Sequence, residues 1–336
     1  MNNYDNFPQY NNFAQVNPEL RELKKRVNSV GIMTIISIAA FSTVANVLSS
    51  FFSIILYNAQ ITDKIDALPD SIFGGLVNIL ALGVSGFIFA NVKKDDINQQ
   101  FPFKSINKNT LISLLVIGFS ACMLSNFLTS VFLGTTYNLG FDFGYSSSSP
   151  VSNSALEIIA KILSVAVVPA FAEEILFRGA IMSSLRKYGD GTAILVSAVI
   201  FGMFHTNLVQ IPFAFIVGLI LGWTVVYTNS MLPAILIHFS NNMFSVVCST
   251  VQSNAEAWNI SSSIISTSIS VFVVLMCISA IICTIKLSRN DRFFLSPNNY
   301  YGGLSKKEIA NTFVTNPAMI GAFVFLTIET INKHIS

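Results

Sequence analysis

The chain has 336 residues, of which 52% are hydrophobic and only 11% charged, with 29 Phe and a mean hydropathy of +0.63. That balance excludes a soluble globule and describes a polytopic membrane protein. The formal net charge of +2 gives no reason to expect a nucleic-acid partner, and the information lies in where the basic residues stand.

Residues 1–28 read as a polar, cytoplasmic N-terminal tail that ends in Arg21, Lys24, Lys25 and Arg26. The apolar stretch 29–57 is too long for the core of a cleavable signal peptide, so it is expected to be a retained first span. A span needs about 20 residues to cross roughly 30 Å of hydrocarbon. On that rule the further spans are 72–92, 110–133, 154–176, 192–206, 209–227, 231–252 and 262–286. The fifth is short. The fourth is expected to continue past Arg178 as one helix, bent where Pro169 lacks a backbone donor. The expected fold is therefore all-α, a polytopic membrane helix bundle of about eight transmembrane helices.

Lys and Arg cluster before the first span, between the second and third (Lys93, Lys94, Lys104, Lys108), after the fourth (Arg186, Lys187) and after the eighth (Lys286, Arg289, Arg292). The alternate loops are poor in them, which by the positive-inside rule puts both termini in the cytoplasm and the Ser-rich stretch 134–153 outside. The organisation expected is a tail at 1–28, a bundle at 29–287 with its functional core at about 150–250, and a cytoplasmic segment 288–336. That last segment holds an apolar run, Ala318 to Ile328, of about 11 residues, shorter than a span, so an interfacial or packed helix is expected over 316–330. Cys122, Cys248, Cys277 and Cys283 lie in apolar runs without CxxC spacing, which supports neither a disulfide framework nor a thiolate zinc site.

Ionisable residues inside apolar spans are costly and mark polar cavities or chemistry. Five of the seven here fall into three clusters: Glu173-Glu174-Ile175-Leu176-Phe177-Arg178, Phe201-Gly202-Met203-Phe204-His205 and His238-Phe239-Ser240-Asn241-Asn242. Adjacent glutamates on a helix point about 100° apart and need separate roles. Arg178, four residues after Glu174, can neutralise it on one helical face, which leaves Glu173 the freer carboxylate and a competent general base for water. His238 and Asn242 are also four apart and can offer donors to one developing negative oxygen. Counted at 1.5 Å per residue, Glu173 lies about 20 Å from Arg186 and His205 about 21 Å from Gly191, but His238 only about 10 Å beyond Met231. The three converge if helices tilt or the seventh span starts early.

EEILFR, FGMFH and HFSNN fit EExxxR, FxxxH and HxxxN, and residues 150–250 resemble the CPBP family of intramembrane proteases. That family takes in type II CAAX prenyl endopeptidases and the bacteriocin-processing and self-immunity (Abi) proteins. Each motif alone is weak; three in order are specific. The resemblance implies that Glu173 and His205 activate a water while His238 and Asn242 hold the oxyanion, with Glu174 and Arg178 in support. It implies hydrolysis of a peptide bond of a membrane-associated peptide or protein, in a cavity open to the cytoplasm, by a multi-pass protein of the cell membrane if the host is a prokaryote. No cofactor is expected. Zinc held by Glu173, His205 and His238 is the alternative, although HExxH is absent and three separate helices must supply the ligands. Other readings are a non-catalytic immunity or scaffold protein, a transporter, for which repeat symmetry is lacking, and a serine nucleophile at Ser240 or Ser245, residues that more often pack helices.

Overall fold

The computed structural model describes residues 17–59, 68–93, 97–141, 155–289 and 303–335. The tail up to residue 16, most of the Ser-rich loop expected outside, and Arg292 fall outside these. The first helix, α1, runs Pro18–Ala59. The Asn17 side chain accepts the Glu19 N–H at 3.0 Å, and Pro18 stands at the first helical position, where a missing N–H is harmless. The start is thus set by an Asn-Pro-Glu signal, and α1 begins within the stretch expected to be a polar tail. Arg21 to Arg26 stand within the first turns of α1. There Glu22 bonds Arg26 one turn on, at 3.4 Å, and Lys187 at 2.7 Å.

The second helical run, α2, comprises Leu68–Val77, a π-helical stretch Asn78–Gly83 and Val84–Lys93. Then come the short α3, Ile97–Gln100, and α4, Lys108–Asn138. A continuous run Ala155–Tyr188, α5, is followed by α6, Asp190–Phe204, α7, Gln210–Thr228, α8, Leu232–Ser253, and α9, Ser262–Ser288. The chain ends with α10, Lys306–Thr315, and α11, Pro317–Ile335. Among the described residues seven helices are long and apolar enough to cross a membrane, or eight if α10 and α11, bent by 55°, count as one. The expected all-α polytopic bundle is what the chain forms. The fifth expected span is α6, only 15 residues long.

Helix α5 lies at the centre, its Leu176, Phe177, Ala180, Ile181 and Met182 all buried, packed against α2, α6, α7 and α8. Peripheral α9 packs mainly on α4. One end of the bundle is cationic. Arg186 binds Asp190 at 2.7 Å and the Asn229 side-chain oxygen at 3.2 Å, while Arg26 donates to the Ser184 carbonyl at 3.5 Å. The Met231 N–H donates to Pro102 O at 2.7 Å, which ties the turn between α7 and α8 to the same end.

The last helix departs from expectation. A Cβ on Gly31 would lie 2.4 Å from the Ala318 carbonyl carbon, and one on Gly321 would lie 3.6 Å from Ile35, so α11 runs parallel to α1 with backbones touching at Gly31. Lys333 then reaches Thr206, and residue 335 lies at the end of the bundle away from the basic turns of α1. Charge placement alone puts both termini on one side only while the last apolar run counts as a short tail helix. That run stops, by apolar count, at Glu329 and Thr330, yet Thr330 is buried with its hydroxyl on the Leu326 carbonyl at 2.8 Å, and the helix continues.

Candidate active site

Two π-helical stretches, Ile162–Val167 and Ile175–Met182, bracket the glutamates in α5, and such irregularities inside α-helices recur at functional sites. Pro169 has no N–H, so the Val165 carbonyl four residues earlier loses its α-helical donor. The Asn242 side-chain amide donates to that carbonyl at 3.0 Å.

Glu174 and Arg178 are fully buried and paired at 2.9 Å. Arg178 also donates to Gly218 O at 3.3 Å and lies 4.4 Å from the centre of the Phe201 ring. Gly218 also lets α7 pack closely on α6, since a Cβ there would lie 2.9 Å from the Ala198 backbone. The same Glu174 oxygen, Oε1, accepts from His238 Nδ1 at 3.0 Å. The other ring nitrogen, Nε2, stands 3.8 Å from Glu173 Oε2, an ion-pair separation rather than a hydrogen bond. Glu173 Oε2 has no hydrogen-bond partner, and neither do Glu174 Oε2 and Arg178 Nε beside it. His205 Nδ1 is 2.9 Å from the Phe201 carbonyl. A carbonyl only accepts, so Nδ1 carries the hydrogen and Nε2 is left for other partners. The Phe201 ring stands edge-on to both His205 and His238, with centroids 5.0 and 5.9 Å away.

Glu173 and His205 line one cavity of about 600 Å³ with Phe41, Asn46, Asn78 and Lys333 among its other walls. The structure therefore joins Glu173, Glu174, Arg178 and His238 through His238 and places His205 on Glu173's cavity. Asn242 is turned elsewhere: its amide is on Val165, and its Oδ1 accepts from Asn241 at 3.1 Å. Sequence reasoning missed the backbone partners, Gly218 O and Phe201 O, which no residue identity encodes. It also missed the cavity residues of α1, α2 and α11, which lie far from the motifs. The cavity expected to open towards the basic end opens the other way: at its far end Asn46, Asn332 and Lys333 are exposed and Glu329 is half-buried, whereas Leu82 and Phe177 close it near Glu173.

For zinc, the donors do not fit. Among the described residues no three His, Cys, Asp or Glu side chains are grouped to hold a metal ion, while a catalytic zinc takes three protein ligands at about 2.0–2.3 Å. His238 Nδ1 is held by Glu174 and His205 Nδ1 by a backbone carbonyl, which leaves the two Nε2 atoms as the imidazole donors open to a metal.

A bundle of apolar helices enclosing a buried chain of carboxylates, guanidinium and imidazole defines a multi-pass integral membrane protein with an ionisable centre. Residues 155–244 match the family described as type II CAAX prenyl endopeptidase Rce1-like, so this part of the chain is similar to a family of protease-type hydrolases. The matched stretch holds all six residues singled out by the motifs. No curated protein and no solved structure matches the chain.

Proposed function

We propose that the chain is an intramembrane endopeptidase that hydrolyses a peptide bond of a membrane-associated peptide or protein with an activated water. The observation that carries this reading is the inequality of the two glutamates. Glu174 Oε1 is held by both Arg178 and His238, whereas Glu173 has only the His238 Nε2 at 3.8 Å and lines a cavity shared with His205.

In the reaction Glu173 takes a proton from water as the water oxygen bonds to the scissile carbonyl carbon, and it returns that proton to the leaving amine as the C–N bond breaks. The His205 Nε2 orients the water. His238 faces the developing oxyanion through Nε2; because Nδ1–H is held by Glu174, donation from Nε2 requires a doubly protonated ring, and two carboxylates flank that ring. Glu174 and Arg178 position His238. Asn242 can give its second amide hydrogen to the oxyanion only by rotating while the first stays on Val165, or by leaving Val165.

The test is hydrolysis of internally quenched peptides by the purified, detergent-solubilised protein. Cleavage by wild type and none by Glu173→Gln supports the reading; equal turnover by both removes Glu173 from the chemistry.

A further inference from the structure

We propose that the peptide substrate reaches Glu173 from the non-cytoplasmic side, through a polar mouth framed by Asn46 of α1, Thr206 and the C-terminal half of α11. The inference rests on the protease reading for its substrate and on two independent observations for its direction. First, the basic residues gather at one end: Arg26, Arg186 and Lys187 frame a polar cavity there together with Asn98, Gln99 and Asn229. Charge asymmetry puts such an end in the cytoplasm.

Second, the catalytic cavity extends away from that end. Its α1 wall runs from Ile38 to Asn46, and Asn46 is 20 positions beyond Arg26, about 30 Å along a helix, which is about the thickness of the hydrocarbon core. Its α11 wall is Glu329, Asn332 and Lys333. Lys333 donates to the Thr206 hydroxyl at 3.5 Å, next to His205, and Thr206 sits at φ 49°, a backbone region that a β-branched residue rarely adopts. These α11 residues lie outside the matched stretch 155–244, so this chain completes the mouth with a segment of its own. Polar and charged groups at the mouth suit a hydrated polypeptide flank. The substrate class that follows is an exported peptide, or the outward segment of a membrane-anchored protein, cut near the outer boundary of the bilayer.

The test is cysteine labelling of the full chain in cells with a membrane-impermeant maleimide. Cys248, Cys277 and Cys283 are replaced by Ser, and Cys122, fully buried, is kept. Asn46→Cys and Asn332→Cys are expected to label in intact cells; Asn98→Cys and Gln99→Cys, at the cationic end, only after permeabilisation. The reverse pattern, or labelling of all four only after permeabilisation, overturns the proposal. If the replacements prevent folding, external protease acting on an epitope tag after residue 336 reports the same orientation: loss of the tag in intact cells supports the proposal and its protection overturns it. Neither readout needs turnover. A protein that cuts nothing still shows which way its cavity faces, and a reversed pattern leaves hydrolysis standing with the substrate inside.

Discussion

His238 touches both glutamates of the EE pair unequally: its Nδ1 is 3.0 Å from Glu174 and its Nε2 is 3.8 Å from Glu173. One ring thereby links a carboxylate whose charge is answered by Arg178 at 2.9 Å to one that no guanidinium answers among the described residues. Two adjacent residues of the same type are given different work by their surroundings.

The first prediction separates them. Glu173→Gln keeps the side-chain shape and disturbs no short hydrogen bond of the resting structure, so the thermal midpoint is expected to stay near wild type while peptidase activity disappears. Glu174→Gln instead leaves Arg178 buried without its counter-charge, a loss of about 3–5 kcal/mol for a broken buried pair, and stability and activity are expected to fall together. Thermal unfolding in detergent, run beside the peptide assay, measures both. Two mutants equally stable and equally inactive would contradict the division.

The second prediction concerns the seam between α1 and α11. Because a Cβ on Gly31 would meet the Ala318 backbone at 2.4 Å, Gly31→Leu cannot be absorbed by a side-chain rotation, and overpacking of this kind costs about 1–3 kcal/mol or more. The bent α10–α11 pair is expected to detach, exposing the bend at Asn316 to limited proteolysis while residues 155–244 remain folded. Unchanged protease resistance near residue 316 would show that the seam is looser than the structure has it.

Some of this was legible beforehand. Apolar runs of sufficient length fixed the spans because a bilayer tolerates little else, and i, i+4 spacing anticipated the Glu174–Arg178 pair. Spacing could not reveal how His238, only about 10 Å past Met231 by the helical rise, reaches glutamates set deeper in the bundle. Part of the answer is the π-helical stretch Ile175–Met182: more residues per turn means less height per residue, which draws Glu174 nearer the cationic end. No residue type announces such a stretch. The full length of α11, expected to stop near residue 330, escaped for a different reason, since its polar residues look like an end to the apolar run until α1 and the cavity are there to receive them.

The third prediction uses Pro169 to sort out what Asn242 does. If its amide serves the Val165 carbonyl that Pro169 leaves without a donor, Asn242→Leu should destabilise the protein, because a carbonyl inside a bilayer finds no water to replace the lost donor. Pro169→Ala restores a backbone N–H, so the same substitution should cost clearly less in that background. Activity gives the complementary reading: loss of an oxyanion donor lowers kcat by about 10²–10³-fold, and it should do so whether or not residue 169 is proline. A stability cost identical in both backgrounds would dissociate Asn242 from the proline, and an unaltered kcat would remove it from the oxyanion site.

The fourth prediction is that hydrolysis survives removal of divalent metal. The two imidazoles nearest Glu173 each have Nδ1 engaged, His238 by Glu174 and His205 by the Phe201 carbonyl, so only their Nε2 atoms are available. A zinc site would have to draw both Nε2 atoms and Glu173 to within about 2.0–2.3 Å of one point. The resting arrangement instead opposes His238 Nε2 to Glu173 Oε2 at 3.8 Å, with no third ligand grouped beside them among the described residues. Glu173 can act on water without a Lewis acid if His205 holds that water and His238 receives the oxyanion, which makes the histidines catalysts rather than ligands. Enzyme dialysed against a strong chelator should therefore keep its rate, and elemental analysis of active preparations should find zinc far below one per chain. Activity lost on chelation and recovered in proportion to zinc added back would reassign both histidines as ligands.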